Sequence, residues 1–509
     1  MRRLSRRLPP TQLPTLPLTL TSLLPLLLLT AGCSLIPEHE TPEIAPPQRW
    51  LADAAAPAVA PGTPVASAVT WPEPGWWSLY GSPTLLRLVA AAERGNSDLG
   101  AAAARVLQAE AQRRIAGADL LPGVDASGGA SQGWSFIEGD DGSDSTGFNA
   151  ELAASYQLDL FGRNRAALVS AEASALASRY DRDTVALTVV SNVATTYFQL
   201  LQFRGRLAVA RRNLEIAEGV LRIVEARVAS GAASPLELAQ QRTTVANQRA
   251  SIPPLETQAS QTETALAILL GVTPGGAGAL AGGLGGGLGG GPGAGLGAGL
   301  GGSLMAIEPP AVTPGLPSAL LARRPDVQAA EARLLAAEAD IGAARAAYFP
   351  SVELTGRGGL DITAVSAVFD PIRTSIGLVA SLAQTVFDGG RIEGQVEFTE
   401  ARRAELIQSY RGTVIQSFAD VENALIALRK AGEQEALQLE ALEQARLGYR
   451  LAEARYRAGA EDLLTVLDAQ RSLYAAEDQL VQVRFARLQA SVALFQALGG
   501  GWQGSAAAI

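Results

Sequence analysis

A single cysteine (Cys33), a single histidine (His39) and a single lysine (Lys430) in 509 residues remove several kinds of chemistry at the outset. One cysteine cannot form a disulfide within a chain, and one histidine leaves no zinc cluster and no Cys/His catalytic pair. Aromatic residues make up only 5% of the sequence. The bulk is Ala, Leu, Gln, Glu and Arg, a balance that favours long helices over a compact enzyme core. Positive charge is also short. The net charge is −9, and without the four arginines of residues 1–32 it becomes −13. An acidic chain of this kind excludes nucleic acid as a partner. After residue 32 there is no continuous apolar run of about 20 residues, so any membrane crossing by the rest of the chain requires β-strands.

The N-terminus has the form of an export signal. Arg2, Arg3, Arg6 and Arg7 precede an apolar stretch from Leu13 to Leu29 that ends in Leu29-Thr-Ala-Gly-Cys33. Pro14, Pro17 and Pro25 interrupt the stretch, which argues against a permanent membrane helix. Small residues before a lone cysteine resemble a bacterial lipobox, with Thr30 departing from the leucine the pattern prefers. The expected product begins at a lipid-bearing Cys33. Ser34 in place of Asp is the feature associated with delivery to the outer membrane. An ordinary signal peptide with an incidental cysteine is the alternative.

The rest of the chain is a duplication. Asn96-Ser-Asp98-Leu matches Arg324-Pro-Asp326-Val, Leu121-Pro122 matches Phe349-Pro350, Ala226-Arg227 with Gly231 matches Ala454-Arg455 with Gly459, and Leu270-Gly271 matches Leu498-Gly499. One offset, 228, relates all four pairs, so the period is long and not that of a short solenoid. The sequence predicts a signal peptide (1–32), an extended lipidated segment (33–83), a first repeat (84–270), a Gly-rich linker (271–317), a second repeat (318–500) and a tail (501–509). Within the repeats it predicts helices over 84–120 and 318–347, each followed by a two-stranded hairpin. Paired long helices follow, over 163–230 with 234–270 and over 391–458 with 461–498. Pro253-Pro254 is expected to kink the first return helix. The linker contains Gly297-Ala-Gly299-Leu-Gly301-Gly302, a GxGxxG match without the strand and helix that a dinucleotide site needs. No cofactor is expected.

The strands alternate. Phe148, Ala150, Leu152, Ala154, Tyr156, Leu158 and Leu160 interleave with Asn149, Glu151, Ala153, Ser155, Gln157 and Asp159. Val352 and Leu354 interleave with Glu353, Thr355 and Arg357, and Ile376, Leu378, Ala380 and Leu382 with Ser375, Gly377, Ser381 and Ala383. A period of two with one apolar and one hydrophilic face is what a transmembrane barrel requires. A soluble amphipathic hairpin is the alternative, and it needs a core to cover the apolar face. Four strands cannot close a barrel, and lipid does not tolerate open edges. Three copies would give about twelve strands, within the range of known barrels, with acidic loops over 138–146 and 361–373 outside. Helix 163–230 would be roughly 100 Å long at 1.5 Å per residue. Its spacing of Leu200, Phe203, Leu207, Leu214 and Leu221 points to coiled packing.

With these residues in hand, the chain resembles the outer-membrane factor family of TolC- and OprM-type channels, in its lipidated, NodT-like branch serving RND-type efflux. The segment Ala454-Arg-Tyr-Arg-Ala-Gly459-Ala-Glu-Asp-Leu-Leu464-Thr-Val-Leu-Asp468-Ala-Gln-Arg-Ser-Leu473 is similar to that branch's second periplasmic hairpin. Trp76-Trp77 with Pro83, Asn96-Ser-Asp98-Leu99 and the ending Ala497-Leu-Gly-Gly-Gly501-Trp502 match as well. The resemblance covers 33–502 and departs from the family in its enlarged linker. It implies an α+β membrane protein, a trimeric 12-stranded barrel continuing into an α-helical tunnel, and no catalysis. It also implies two partners, a periplasmic adaptor and an inner-membrane RND pump.

The resemblance further implies roles for individual residues. Leu464 and Asp468, four apart on one helix face, match the family's periplasmic gate; by spacing alone a packed Leu in a coiled-coil core and a solvated Asp is the better reading, and the matched motif is what favours the gate. Arg455 and Tyr456, before the turn that Gly459 permits, match residues that tie neighbouring helices shut; a surface Arg and a packed Tyr are the plain alternative. Arg227, Gly231, Ser234 and Leu236 form the equivalent tip of the first repeat. With Gly459 they are the adaptor-docking candidates, although turn geometry alone also accounts for both glycines. The second tip carries Leu464 and Asp468, whereas the first has Ser234-Pro235-Leu236-Glu237 in what reads as a shorter turn, so the gate is assigned mainly to the second. Glu151, Gln157, Asp159, Glu353 and Arg357 are expected to face the barrel lumen. A type I protein-secretion duct and a structural envelope coiled coil are the competing functions.

Overall fold

The computed structural model describes residues 35–51, 73–135, 143–274, 302–312, 317–362 and 373–501. Cys33, the signal segment, the greater part of the Gly-rich linker, the tips of both hairpin loops and Trp502 lie outside the described residues. The chain divides into two compact units. One holds residues 1–39, 114–170 and 337–401, and the other holds 40–113, 171–336 and 402–509.

The first unit is built on a four-stranded antiparallel sheet in the order β1 (Gly123–Ser135), β2 (Ser143–Leu158), β3 (Ser351–Ile362), β4 (Arg373–Ala383). Each repeat therefore supplies one hairpin, and β2 pairs with β3 to join them. Residues directly opposite in an antiparallel pair share a face, so the register decides what each face carries. Val124, Ala154 and Gly356 stand in line with Leu378, and Ala126, Leu152 and Gly358 with Ile376. On the other face Gln157 stands opposite Glu353 and Ala153 opposite Arg357. The alternation read from single strands thus holds across all four. Apolar side chains collect on one side and remain open to the surroundings, Ile376 at 89% and Leu378 at 82% exposure. β1 and β4 each keep an unpaired edge among the described residues.

Where the strands meet the helices the aromatic residues cluster. Phe161 and Phe349 stack with ring centroids 4.6 Å apart, and Tyr348 and Phe387 are exposed nearby in sequence. Of these residues only Phe349 figures in the repeat pattern of the sequence; aromatics at the ends of membrane strands are the usual anchors at a lipid–water boundary.

The second unit is helical. Helix α1 (Pro83–Gly95) and α2 (Ser97–Ala118) replace the single helix expected over 84–120. Asn96 between them is extended, and its Oδ1 accepts from the backbone N–H groups of Asp98 and Leu99, capping the new helix. The expected helix 318–347 is likewise divided, into α6 (Pro317–Leu320) and α7 (Pro325–Ala346). Pro325 lacks an N–H and disfavours a helical conformation at Arg324. The long helices are α3 (Arg163–Ala229), α4 (Pro235–Ala250) with α5 (Ile252–Leu269), α8 (Arg391–Arg457) and α9 (Leu463–Ala497). The return helix breaks at Ser251, two residues before the first of the two prolines. One stretch of α3 is apolar enough to pass for a membrane span, but half of it is buried inside the chain.

The core of this unit surrounds Trp76, which stacks on Phe495 at 4.7 Å, with Tyr80, Phe198 and Leu200 beside it. Each such fully buried side chain contributes roughly 1.5–3 kcal/mol. The duplication recurs here at atomic detail. Asn96 Nδ2 donates to the Leu269 carbonyl at 2.8 Å, and Arg324 Nη1 to the Ala497 carbonyl at 3.2 Å. Gly271 lies so close to the Gly95 carbonyl, and Gly499 to that of Arg323, that an added Cβ would come within 1.8 and 2.1 Å respectively.

Candidate functional site

The two helical turns are the most informative places in the second unit. α3 ends in Gly231 with φ 73°, and α8 in Gly459 with φ 75°. Both endings close in the same way. The N–H of Ala232 donates to the Arg227 carbonyl at 2.7 Å and that of Ala460 to the Arg455 carbonyl at 2.9 Å, while each glycine N–H reaches back three residues. This is the Schellman arrangement, for which a left-handed glycine is the natural residue. The next helices start alike. Ser234 caps α4 through the N–H of Glu237, whose carboxylate returns to Ser234, and Asp462 caps α9 through Thr465. Residues 230–234 and 458–462 separate the helices, five in each case, so the first turn is not the shorter one. The Asp462 cap sets the start of α9 at Leu463, two residues beyond the expected Glu461, which brings the second turn to the length of the first.

Equivalent positions behave equivalently. Leu236 and Leu464, 228 residues apart, are both exposed, at 66% and 58%. Asp468 is exposed and 3.3 Å from Arg471 Nη1. Leu464 and Asp468 are therefore not packed inside the chain, and both are available to another surface. Arg455 pairs with Glu461 across its own turn at 3.2 Å. Tyr456 is different, at 1% exposure, and it joins the two tips. The Arg227 guanidinium lies 4.6 Å over its ring, and Arg227 Nη1 donates to the Tyr456 carbonyl at 3.1 Å. Burial raises the Tyr456 pKa above 10.0, opposed by Arg227 and reinforced by Glu237. The cap bond from Thr465 holds the Asp462 carboxyl below its usual 3.8, so the cap is in place at neutral pH and is lost only as pH falls through that depressed value.

On the sheet, Glu151, Gln157, Glu353 and Arg357 share the polar face, and Arg357 Nε is 3.7 Å from Glu151. Asp159 is not among them. β2 ends at Leu158, and the Asp159 carboxylate accepts from the backbone N–H groups of Asn164 and Arg165 at 3.0 and 2.9 Å. It holds the first turn of α3, a role that its place in the alternation concealed.

The sequence matches the outer membrane efflux protein family over residues 88–272 and again over 316–500, the two stretches separated by the internal offset. The chain belongs to the outer membrane efflux protein family. The chain is accordingly an outer-membrane channel protein of the efflux type, and not an enzyme. It is 43% identical over 493 residues to the pyoverdine export outer membrane protein OpmQ of Pseudomonas putida, covering 94% of this chain and 97% of that one. It is 30% identical over 472 residues to the cation efflux system protein CusC of Escherichia coli, covering 93% and 96%. Among solved structures it is similar to the outer-membrane channel OprN, with a TM-score of 0.80 and 29% identity over 92% of this chain and all of that one. The candidate functional parts of this channel protein lie in the sheet and at the helix tips.

Proposed function

We propose that three copies of the chain form the exit duct of a tripartite efflux system. The observation that carries this reading is the sheet, which is apolar on one face, polar on the other and open at both edges. In lipid every backbone N–H and C=O needs a partner. The free edge of β1 therefore meets β4 of a neighbour, the apolar face meets lipid, and Glu151, Gln157, Glu353 and Arg357 line water. Lipid on Cys33 ties each chain to the membrane. The two glycine-closed tips, with Arg227, Gly231, Ser234, Leu236 and Gly459, receive a periplasmic adaptor. Exposed Leu464 and Asp468 of three chains converge as a gate, tied by Arg455 and Tyr456. An apolar ring closes by dewetting and a carboxylate ring favours cations. The driving energy comes from an inner-membrane pump, for which the resemblance points to the RND class.

The relatives support one class of cargo over another. Identity to the pyoverdine exporter is 43%, against 30% to the cation exporter, which favours a siderophore-type organic molecule over a bare metal ion. A Pseudomonas strain lacking its own pyoverdine-export outer membrane protein supplies the test. Expression of this chain is expected to return pyoverdine to the medium, and the purified chain to carry labelled palmitate that Cys33→Ala loses. Pyoverdine retained in the periplasm despite folded protein in the outer membrane would remove the cargo reading, and label persisting on Cys33→Ala would remove the lipid site.

A further inference from the structure

Along α9 one buried position recurs every seventh residue: Leu463, Gln470, Glu477, Arg484 and Ser491. Such spacing keeps residues on one face of a coiled helix, so these five form a single seam, polar at four places. Ser491 and Glu477 are satisfied, and Arg484 is bonded through both Nη atoms while its Nε has no partner among the described residues. Ser491 Oγ is 2.6 Å from Tyr80 Oη. Arg484 donates to Glu435 at 2.8 Å and to the Ile307 carbonyl at 2.6 Å. Glu477 accepts from Arg446 at 3.2 Å and Arg212 at 3.4 Å. Gln470 is different. It is 2% exposed, and neither Nε2 nor Oε1 has a hydrogen-bond partner among the described residues. Gln241 Oε1 and Asn213 Oδ1 are unpartnered as well. Among the four polar seam residues, Gln470 is the one whose side chain makes no hydrogen bond at all among the described residues.

A second, independent feature falls at the same level. Gly219 in α3 and Gly448 in α8 are helix-interior glycines without a steric reason. A Cβ at Gly448 would meet nothing within 4 Å, and one at Gly219 only the Arg222 guanidinium at 3.7 Å. Glycine there weakens a helix relative to alanine. The Arg484–Glu435 and Arg446–Glu477 pairs fix the antiparallel register of α8 on α9, and Arg212–Glu477 fixes that of α3. Continued toward the turns, these registers put both glycines within about one helical turn of Gln470.

We propose that Gly219, Gly448 and Gln470 mark a hinge plane, on which the tip-proximal arms of α3, α8 and α9 pivot against the part locked by Glu477 and Arg484. The inference rests on the channel reading above and names the device by which its tip moves. A buried amide without partners penalises the packing seen here and brings a second packing, in which the amide is bonded, within reach. The glycines allow the bend.

The test is single-channel recording and thermal melting of the full-length channel carrying Gly219→Ala, Gly448→Ala and Gln470→Leu together. Gly412→Ala serves as control, since Gly412 is elsewhere in α8 and also has open space around it. The triple variant is expected to melt higher and to open roughly tenfold less often, the combined effect of two stiffened helices and a relieved amide. The control is expected to open as the wild type does. Unchanged opening in the triple variant, equal slowing in the control, or no gain in melting temperature each overturns the hinge. If leucine at 470 prevents folding, the two glycine substitutions alone are judged by the same criterion. A wild-type protein that conducts no current contradicts the channel reading, and the hinge falls with it.

Discussion

Leu152→Arg is expected to abolish assembly in the outer membrane, while Ser155→Arg, three residues along the same strand, leaves it largely intact. Leu152 lies on the apolar face near the middle of β2, in line with Ala126, Gly358 and Ile376. Ser155 lies on the polar face, between Gly123 and Thr355. An arginine facing lipid at mid-membrane costs about 2–4 kcal/mol. Three copies in one barrel raise this to roughly 6–12 kcal/mol, comparable with the whole stability of a typical folded domain. An arginine on the polar face stays hydrated and avoids that penalty. The measurement is the amount of folded protein recovered in outer-membrane fractions. Equal loss in both variants would mean that neither face meets lipid.

The second large effect is at the tips. Tyr456→Ala removes a fully buried ring together with the surface on which Arg227 rests. Truncating a buried aromatic costs about 3–5 kcal/mol, and here the loss falls where the two repeats are tied. The expected result is faster amide exchange through residues 220–236 and 449–466 and a larger resting conductance. Tyr456→Phe keeps the ring and is expected to behave nearly as wild type. Asp468→Ala and Leu464→Ala provide the contrast. Both side chains are exposed within the chain, so their truncation changes stability by no more than about 0.5 kcal/mol, yet it is expected to raise conductance. Unchanged conductance in these two variants would remove them from the gate.

The difference between those two groups shows how much of the tip was legible in the sequence. Arg455, Tyr456, Leu464 and Asp468 are all marked by their motif, but only the folded structure separates the buried tyrosine from the exposed leucine and aspartate. Alternation in β2, β3 and β4 foretold the sheet faces because a period of two is a local property. The order β1-β2-β3-β4 joins hairpins 200 residues apart, and no local pattern encodes that pairing. Caps account for most of the errors. Asn96, Asp159 and Asp462 are polar residues whose oxygens take backbone N–H groups, and each ended or started an element that periodicity alone had carried through. The duplication was visible from four short matches, and it extended further than they showed. Paired glycines, paired caps and paired exposed leucines at the tips all obey the offset of 228.

The central claim is that one chain supplies a third of a closed barrel. The molar mass of the detergent-solubilised protein, measured by light scattering with the detergent contribution subtracted, tests it most directly. The account predicts a particle of three chains, with no smaller species at concentrations where the sheet remains folded. A folded monomer, stable in detergent with both edges of its sheet unpaired, would contradict it.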